Sequence, residues 1–179
     1  TGRVIPIPAE GSDHSPDACL KGDSMIITES GEKAIKDIKV GEKVLTRAGF
    51  KRVEWSGASR KNAEVLEIKT ESGKAITCTP DHKIWTKDGF IRADAVRYGH
   101  ELLTVSAGKS SSSTNSRKSR LVADRVLTVS VLSEKEPEVY DLTVKDQPEF
   151  FANGILVHNC RYALEKYMKK KTTIYDALA

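Results

Sequence analysis

Apolar residues in this chain alternate with polar ones over short runs, the period-2 pattern of half-buried strands. Ser24–Thr28 is one such run. Val65–Thr70 and Lys74–Thr79 are two more, and Glu71-Ser72-Gly73 between them predicts a β-hairpin. Val126–Leu132 and Val139–Val144 add two strands. Phe150-Phe151-Ala152 and Ile155-Leu156-Val157 flank Asn153-Gly154, the dipeptide that supplies the positive φ angles of a type I′ turn. Many short strands with frequent turns predict an all-β domain. The texture changes past Arg161, where Tyr162, Ala163, Leu164, Tyr167 and Met168 recur at helical spacing. The stretch 109–119 is Ser-rich, too polar to build a core, and is expected to be a flexible surface loop between two β segments.

The β region contains a repeat. Gly31-Glu32-Lys33-Ala34-Ile35-Lys36-Asp37-Ile38, then Gly41 and Val44-Leu45-Thr46, is echoed by Gly89-Phe90-Ile91-Arg92-Ala93-Asp94-Ala95-Val96, then Gly99 and Leu102-Leu103-Thr104. Measured from the aspartates, the second copy carries one extra residue before its glycine. Two like subdomains related by pseudo-symmetry are expected.

Composition narrows the class. No apolar run approaches the ~20 residues of a membrane span, and Thr1–Pro6 lacks the apolar stretch of a secretory leader. Net charge is +4 and scattered; Arg117–Arg120 and Lys169–Lys171 read as solvated surface rather than as a nucleic-acid patch. Three cysteines, Cys19, Cys78 and Cys160, argue against a disulfide framework and for reduced thiols in the cytoplasm of a cell.

The positions of those cysteines bring in chemistry. His158-Asn159-Cys160 places a histidine before an asparagine and a thiol after it. An asparagine can attack its own backbone carbonyl, form a succinimide and break the bond that follows. Thr79-Pro80-Asp81-His82 follows a predicted strand and offers a hydroxyl and a general acid near neutral pH, although a structural turn is the commoner role of such a tetrapeptide. Asp141 interrupts the apolar strand Val139–Val144; a desolvated position there raises a carboxyl pKa, whereas an edge strand would turn it to solvent. Cys19 alone suggests only a buried thiol.

In this order and spacing, Cys19-Leu20-Lys21-Gly22-Asp23-Ser24, Gly73-Lys74-Ala75-Ile76-Thr77-Cys78-Thr79-Pro80-Asp81-His82, Val139–Val144 and Gly154-Ile155-Leu156-Val157-His158-Asn159-Cys160 resemble the Hint domain of inteins. The resemblance implies a flattened β horseshoe of two pseudo-symmetric halves over residues 19–159, with host fragments at 1–18 and 160–179. It implies that Cys19 attacks the Ala18 carbonyl with help from Thr79 and His82, and that Cys160 takes the acyl group. Asp141 would manage protons, and Asn159 would cyclise with help from His158. No metal or cofactor is implied for splicing, and the flanking segments of the same chain are the substrate. Family members often carry a histidine seven residues after the acid matched by Asp141; here that residue is Pro148, followed by Glu149. No endonuclease motif is visible. Cys78 suggests a redox lock, by a disulfide to Cys19 or Cys160, with a packed strand residue as the commoner role.

The joined flanks, Gly11–Ala18 and Cys160–Tyr167, resemble the nuclease segment of phage terminase large subunits, the DNA-packaging ATPases. That resemblance implies that His14 and Asp17 help hold a divalent metal in the host protein; a helix cap is their plainer role. Two other readings compete for 19–159: a Hint-type domain that cleaves at Cys19 without ligation, and an inert β insertion that serves as a binding module. His158-Asn159-Cys160 speaks against the first, because cleavage alone needs no downstream nucleophile.

Overall fold

The computed structural model describes residues 19–106 and 120–159. Fourteen strands run through them, every pair antiparallel. They are β1 Leu20–Lys21, β2 Met25–Thr28, β3 Gly31–Ala34, β4 Lys43–Thr46, β5 Gly49–Ala63, β6 Leu66–Thr70 and β7 Ala75–Cys78. The second set is β8 Lys83–Thr86, β9 Gly89–Arg92, β10 Glu101–Ser106, β11 Arg120–Val131, β12 Glu136–Val144, β13 Glu149–Ala152 and β14 Ile155–His158. The path runs β10-β11-β6-β7-β1-β12-β5-β4-β2-β13-β14-β8-β9, and β10 also pairs with β14 and β8, so the ladder closes on itself. The all-β expectation holds. The predicted hairpins form between β6 and β7 and between β13 and β14. Asn153 and Gly154 take φ of 51° and 80° in the second turn, as a type I′ turn requires.

The largest departure from the sequence reading is β5, fifteen residues long and absent from the expectations. It is studded with Lys, Arg, Glu and Ser, and its inward positions include glycine and tryptophan, so the alternation that marks a strand is blurred. Its pairing with β12 stabilises it instead, from Val53 opposite Val144 to Ala63 opposite Glu136. Likewise β11 begins at Arg120, earlier than its apolar run. The C-terminal helix and the Ser-rich loop fall outside the described residues.

The repeat is a true structural duplication, and it corrects one detail. Ile35 N–H donates to Ser24 O and Ala93 N–H to His82 O, both at 2.8 Å. Thr28 Oγ1 donates to Gly31 O and Thr86 Oγ1 to Gly89 O. Gly41 N–H reaches Val53 O as Gly99 N–H reaches Val126 O. The spacing is therefore the same in both copies, with no extra residue in the second; the aspartates Asp37 and Asp94 simply stand at different steps of the two 3-10 turns, Ile35–Asp37 and Ala93–Ala95.

The main core joins both halves and includes Leu20, Ile26, Ile68, Cys78, Leu142 and Phe150. Leu45, Val105, Phe151 and Leu156 form a second cluster.

Candidate active site at the two chain junctions

Strand β1 lies between β12 and β7, so the residue that precedes it is flanked on both sides. Leu20 pairs with Tyr140 and with Cys78. One step back along these registers stands Cys19, with Asp141 on one side and Thr79 on the other. Cys19 is fully buried, beside Ala63, Val65 and Val139. Thr79 grips its main chain at both ends. The Cys19 N–H donates to Thr79 Oγ1 at 2.8 Å, while Cys19 O accepts from the Thr79 N–H at 2.9 Å and from Thr79 Oγ1 at 3.3 Å.

Thr79 opens a tight turn that His82 closes, its N–H donating to Thr79 O at 3.1 Å. The turn is fastened to the 3-10 turn by Asp94 N–H on Pro80 O and by Ala93 N–H on His82 O. His82 is fully buried and leads into β8. There Val157 of β14 pairs with Ile84; continued by two residues, that antiparallel register sets Asn159 opposite His82. Asn159 is fully buried, and its N–H donates to Pro148 O at 2.7 Å. His158 is half-buried, packed edge-on against Phe90 with ring centroids 4.9 Å apart. A single four-residue turn, Thr79–His82, thus borders both ends of the β domain.

Asp141 is 1% exposed, which fits the desolvated rather than the solvent-facing expectation. Burial pushes the Cys19 thiol well above its ordinary range, and the Asp141 carboxylate and Asp81 push the same way; a hydrogen bond from Ser59 and the charge of Arg60 oppose them. The thiol is accordingly protonated at rest.

Ser59 was missed by sequence reasoning. It sits where the β5–β12 register slips, between Ala58 opposite Tyr140 and Arg60 opposite Val139. A β-bulge re-aims one side chain, and here that residue reaches Cys19. Nothing in the sequence around Ser59 marks it. Also missed was the pairing of Arg47 with Glu149, a fork-to-fork contact with Nε–Oε2 and Nη2–Oε1 both at 2.5 Å.

Of the two disulfides expected for Cys78, the one to Cys160 falls outside the described residues, and the one to Cys19 meets the strand geometry. Cys78 shares the face of β7 that packs with Leu20 in the main core, whereas Cys19 points into a separate cluster. Adjacent strand residues face opposite sides, so a Cys19–Cys78 disulfide is opposed by the pleat. Both thiols are free. Burial, then Asp81 and Asp94, holds the Cys78 thiol high as well. Ala18, Cys160, His14 and Asp17 lie outside the described residues. Among the described residues no cluster of three or more His, Cys, Asp or Glu is disposed to hold a metal.

Residues 24–159 match the family profile described as the intein splicing domain. The fold is similar to the Ssp DnaB mini-intein variant M86, at 26% identity over 80% of this chain and 94% of that one, with a TM-score of 0.68. It is also similar to the DnaX mini intein from Spirulina platensis, at 26% identity over 79% and 99%, with a TM-score of 0.64. Warthog protein 6 of Caenorhabditis elegans is 36% identical over 84 residues, 42% of this chain and 14% of that protein. The chain spans 6–25% of the length of curated relatives it matches.

Proposed function

The chain belongs to the intein splicing-domain family, and on that premise we propose that residues 19–159 excise themselves and join Ala18 to Cys160. Cys19 attacks the Ala18 carbonyl, its sulfur replacing its own nitrogen, so that the amide becomes a thioester and the nitrogen leaves as an amine. Thr79 holds that nitrogen through Oγ1 before the bond breaks, and His82 supplies the proton the amine needs. Ser59 and Arg60 favour the thiolate, which is the attacking species, against burial and Asp141.

The Cys160 thiolate then displaces the Cys19 sulfur from the acyl carbon, giving a branched chain. Asp141, one register step from the Leu20–Tyr140 pair, manages the proton exchanged between the two thiols. The Asn159 side-chain nitrogen attacks its own carbonyl, forming a succinimide and freeing the Cys160 nitrogen, with His158 assisting. That free amine finally takes the acyl group from the Cys160 sulfur. The substrate is the flanking chain itself, and the steps call on no cofactor. Holding both junctions in one fold raises effective concentration, worth about 10⁵–10⁸ M in well-oriented cases.

The observation that carries this reading is the Thr79–His82 turn, with one residue on the Cys19 main chain and the other across the β8–β14 register from Asn159. Intact mass of the full chain, followed in time with and without a thiol reductant, tests it. Appearance of fragment 19–159 together with a joined 1–18/160–179 product is the expected result. Cleavage before Cys19 without a joined product would mean autocleavage only, and a chain that stays whole under reducing conditions would mean an inert insertion.

We further propose that the host is a phage terminase large subunit, an ATPase and nuclease that acts on DNA in the cytoplasm of the infected cell. His14 and Asp17 would help hold its divalent metal. The sequence of the joined flanks alone supports this. Reading the coding sequence beyond both ends of the chain tests it; an upstream frame without an ATPase domain would overturn it.

A further inference from the structure

Glu149 is a carboxylate at the first position of β13, 3% exposed. Such a group is tolerated in a protein interior only when paired, and its partner is Arg47, from the turn that joins β4 to β5. Arg47 is itself set in place. Thr46 Oγ1 caps the turn, donating to Gly49 O and accepting from Ala48 N–H, and the guanidinium lies 5.9 Å from the centroid of the Trp85 ring.

The position that matches Arg47 in the other half carries no charge. Thr46 corresponds to Thr104, whose Oγ1 likewise donates to a carbonyl of the next strand. The residue after Thr104 is Val105, buried in the second core cluster. In the other half the matching residue is therefore apolar and lies within β10 rather than in a tight turn. The Arg47–Glu149 pair instead ties the β4–β5 turn of the first half to the start of β13.

Its location there is specific. Glu149 lies directly opposite His158 in the β13–β14 ladder. The residue before it, Pro148, supplies the carbonyl that accepts the Asn159 N–H. The main chain of the cyclising asparagine thus hangs from the residue that leads into β13, and Arg47 anchors its neighbour Glu149. From this geometry we infer that Arg47 and Glu149 are positioning residues for Asn159 cyclisation, holding the Pro148 carbonyl and the His158 strand pair so that the Asn159 side chain faces its own carbonyl. The inference rests on the splicing function proposed above. Without the clamp, a buried carboxylate loses its partner, the start of β13 must shift to bring it to water, and the Asn159 hydrogen bond loosens. A displacement of about 1 Å in such an arrangement costs on the order of 100-fold in rate.

The test uses full-length chains in two backgrounds. In Cys19→Ala, cleavage after Asn159 reports cyclisation alone. In Asn159→Ala with Cys160→Ala, thiol-induced cleavage before Cys19 reports the upstream step alone. Glu149→Gln and Arg47→Met should slow the first by about 10- to 100-fold and leave the second within about twofold, and Arg47→Lys should recover part of the loss. Parent rates in the first assay, or equal losses in both assays with no recovery by Arg47→Lys, would overturn the inference. If the parent chain itself neither cleaves nor splices, the splicing function falls instead.

Discussion

Replacing Thr79 by valine keeps the side-chain shape and removes only the hydroxyl. That hydroxyl accepts the Cys19 N–H at 2.8 Å and donates to Cys19 O at 3.3 Å, and both residues are fully buried. The Cys19 carbonyl keeps its bond from the Thr79 N–H, so the main loss falls on the Cys19 N–H, which no water can reach in place of the oxygen. An orphaned buried donor costs about 1–3 kcal/mol. If the hydroxyl holds the Cys19 nitrogen through the acyl shift, the same 1–3 kcal/mol is about 5- to 150-fold in the rate of thioester formation. The assay is thiol-induced cleavage before Cys19 in the Asn159→Ala, Cys160→Ala chain, with urea unfolding alongside. Thr79→Val should lose both rate and stability, while Thr79→Ser should retain most of each. A valine variant that loses stability but cleaves within about twofold of the parent would refute the argument, for the hydroxyl would then serve only the fold.

Ser59→Ala removes a donor that lowers the Cys19 thiol pKa against burial, Asp141 and Asp81, with Arg60 still acting in its favour. The rate of cleavage before Cys19 should therefore fall several-fold near pH 7 and approach the parent as pH rises; a uniform loss at every pH would contradict it. Both buried thiols have folded pKa values raised above the ordinary 9.0. Below that value both states are protonated and the stability is fully present; above it the unfolded chain loses protons first, so stability falls. Each thiol contributes about 1.4 kcal/mol per pH unit, and Cys78→Val should make the alkaline decline in urea midpoint about half as steep. Oxidation of a Cys160→Ala chain should yield no Cys19–Cys78 disulfide, read by mass after alkylation of free thiols.

Much of this fold was legible because its strands are short and their turns are chemically explicit. Asn153-Gly154 and Glu71-Ser72-Gly73 name their hairpins, and Leu66 and Ile68 alternate with Glu67 and Lys69. β5 escaped because its stability comes from its partner β12 rather than from its own pattern. The site divides along the same line. Cys19, Thr79, His82, Asp141, His158 and Asn159 stood out as a constellation of reactive types at recognisable spacing; Thr79 and His82 share one turn, with Cys19 beside the first and Asn159 across the β8–β14 register from the second. Ser59 did not, because a register slip between two strands leaves no mark on a serine in a polar stretch. Arg47 and Glu149 did not, because their contact spans 102 positions and either residue alone is an ordinary surface charge.

The duplication explains how this site was compatible with folding. Lys21 and Ser24 stand in the first half where Thr79 and His82 stand in the second: Ser24 N–H donates to Lys21 O as His82 N–H donates to Thr79 O, and the next main-chain bonds, Ile35 to Ser24 and Lys36 to Gly22, recur as Ala93 to His82 and Asp94 to Pro80. Every one of these bonds is between backbone groups. The turn is therefore built without its side chains, and those positions are free to differ. In the first half they carry a half-buried lysine and a serine whose hydroxyl closes on its own turn. In the second they carry a hydroxyl on the Cys19 main chain and a fully buried histidine across the β8–β14 register from Asn159. A buried histidine would be costly in a scaffold that depended on it; here backbone pairing supplies the order, and the side chains are left to chemistry.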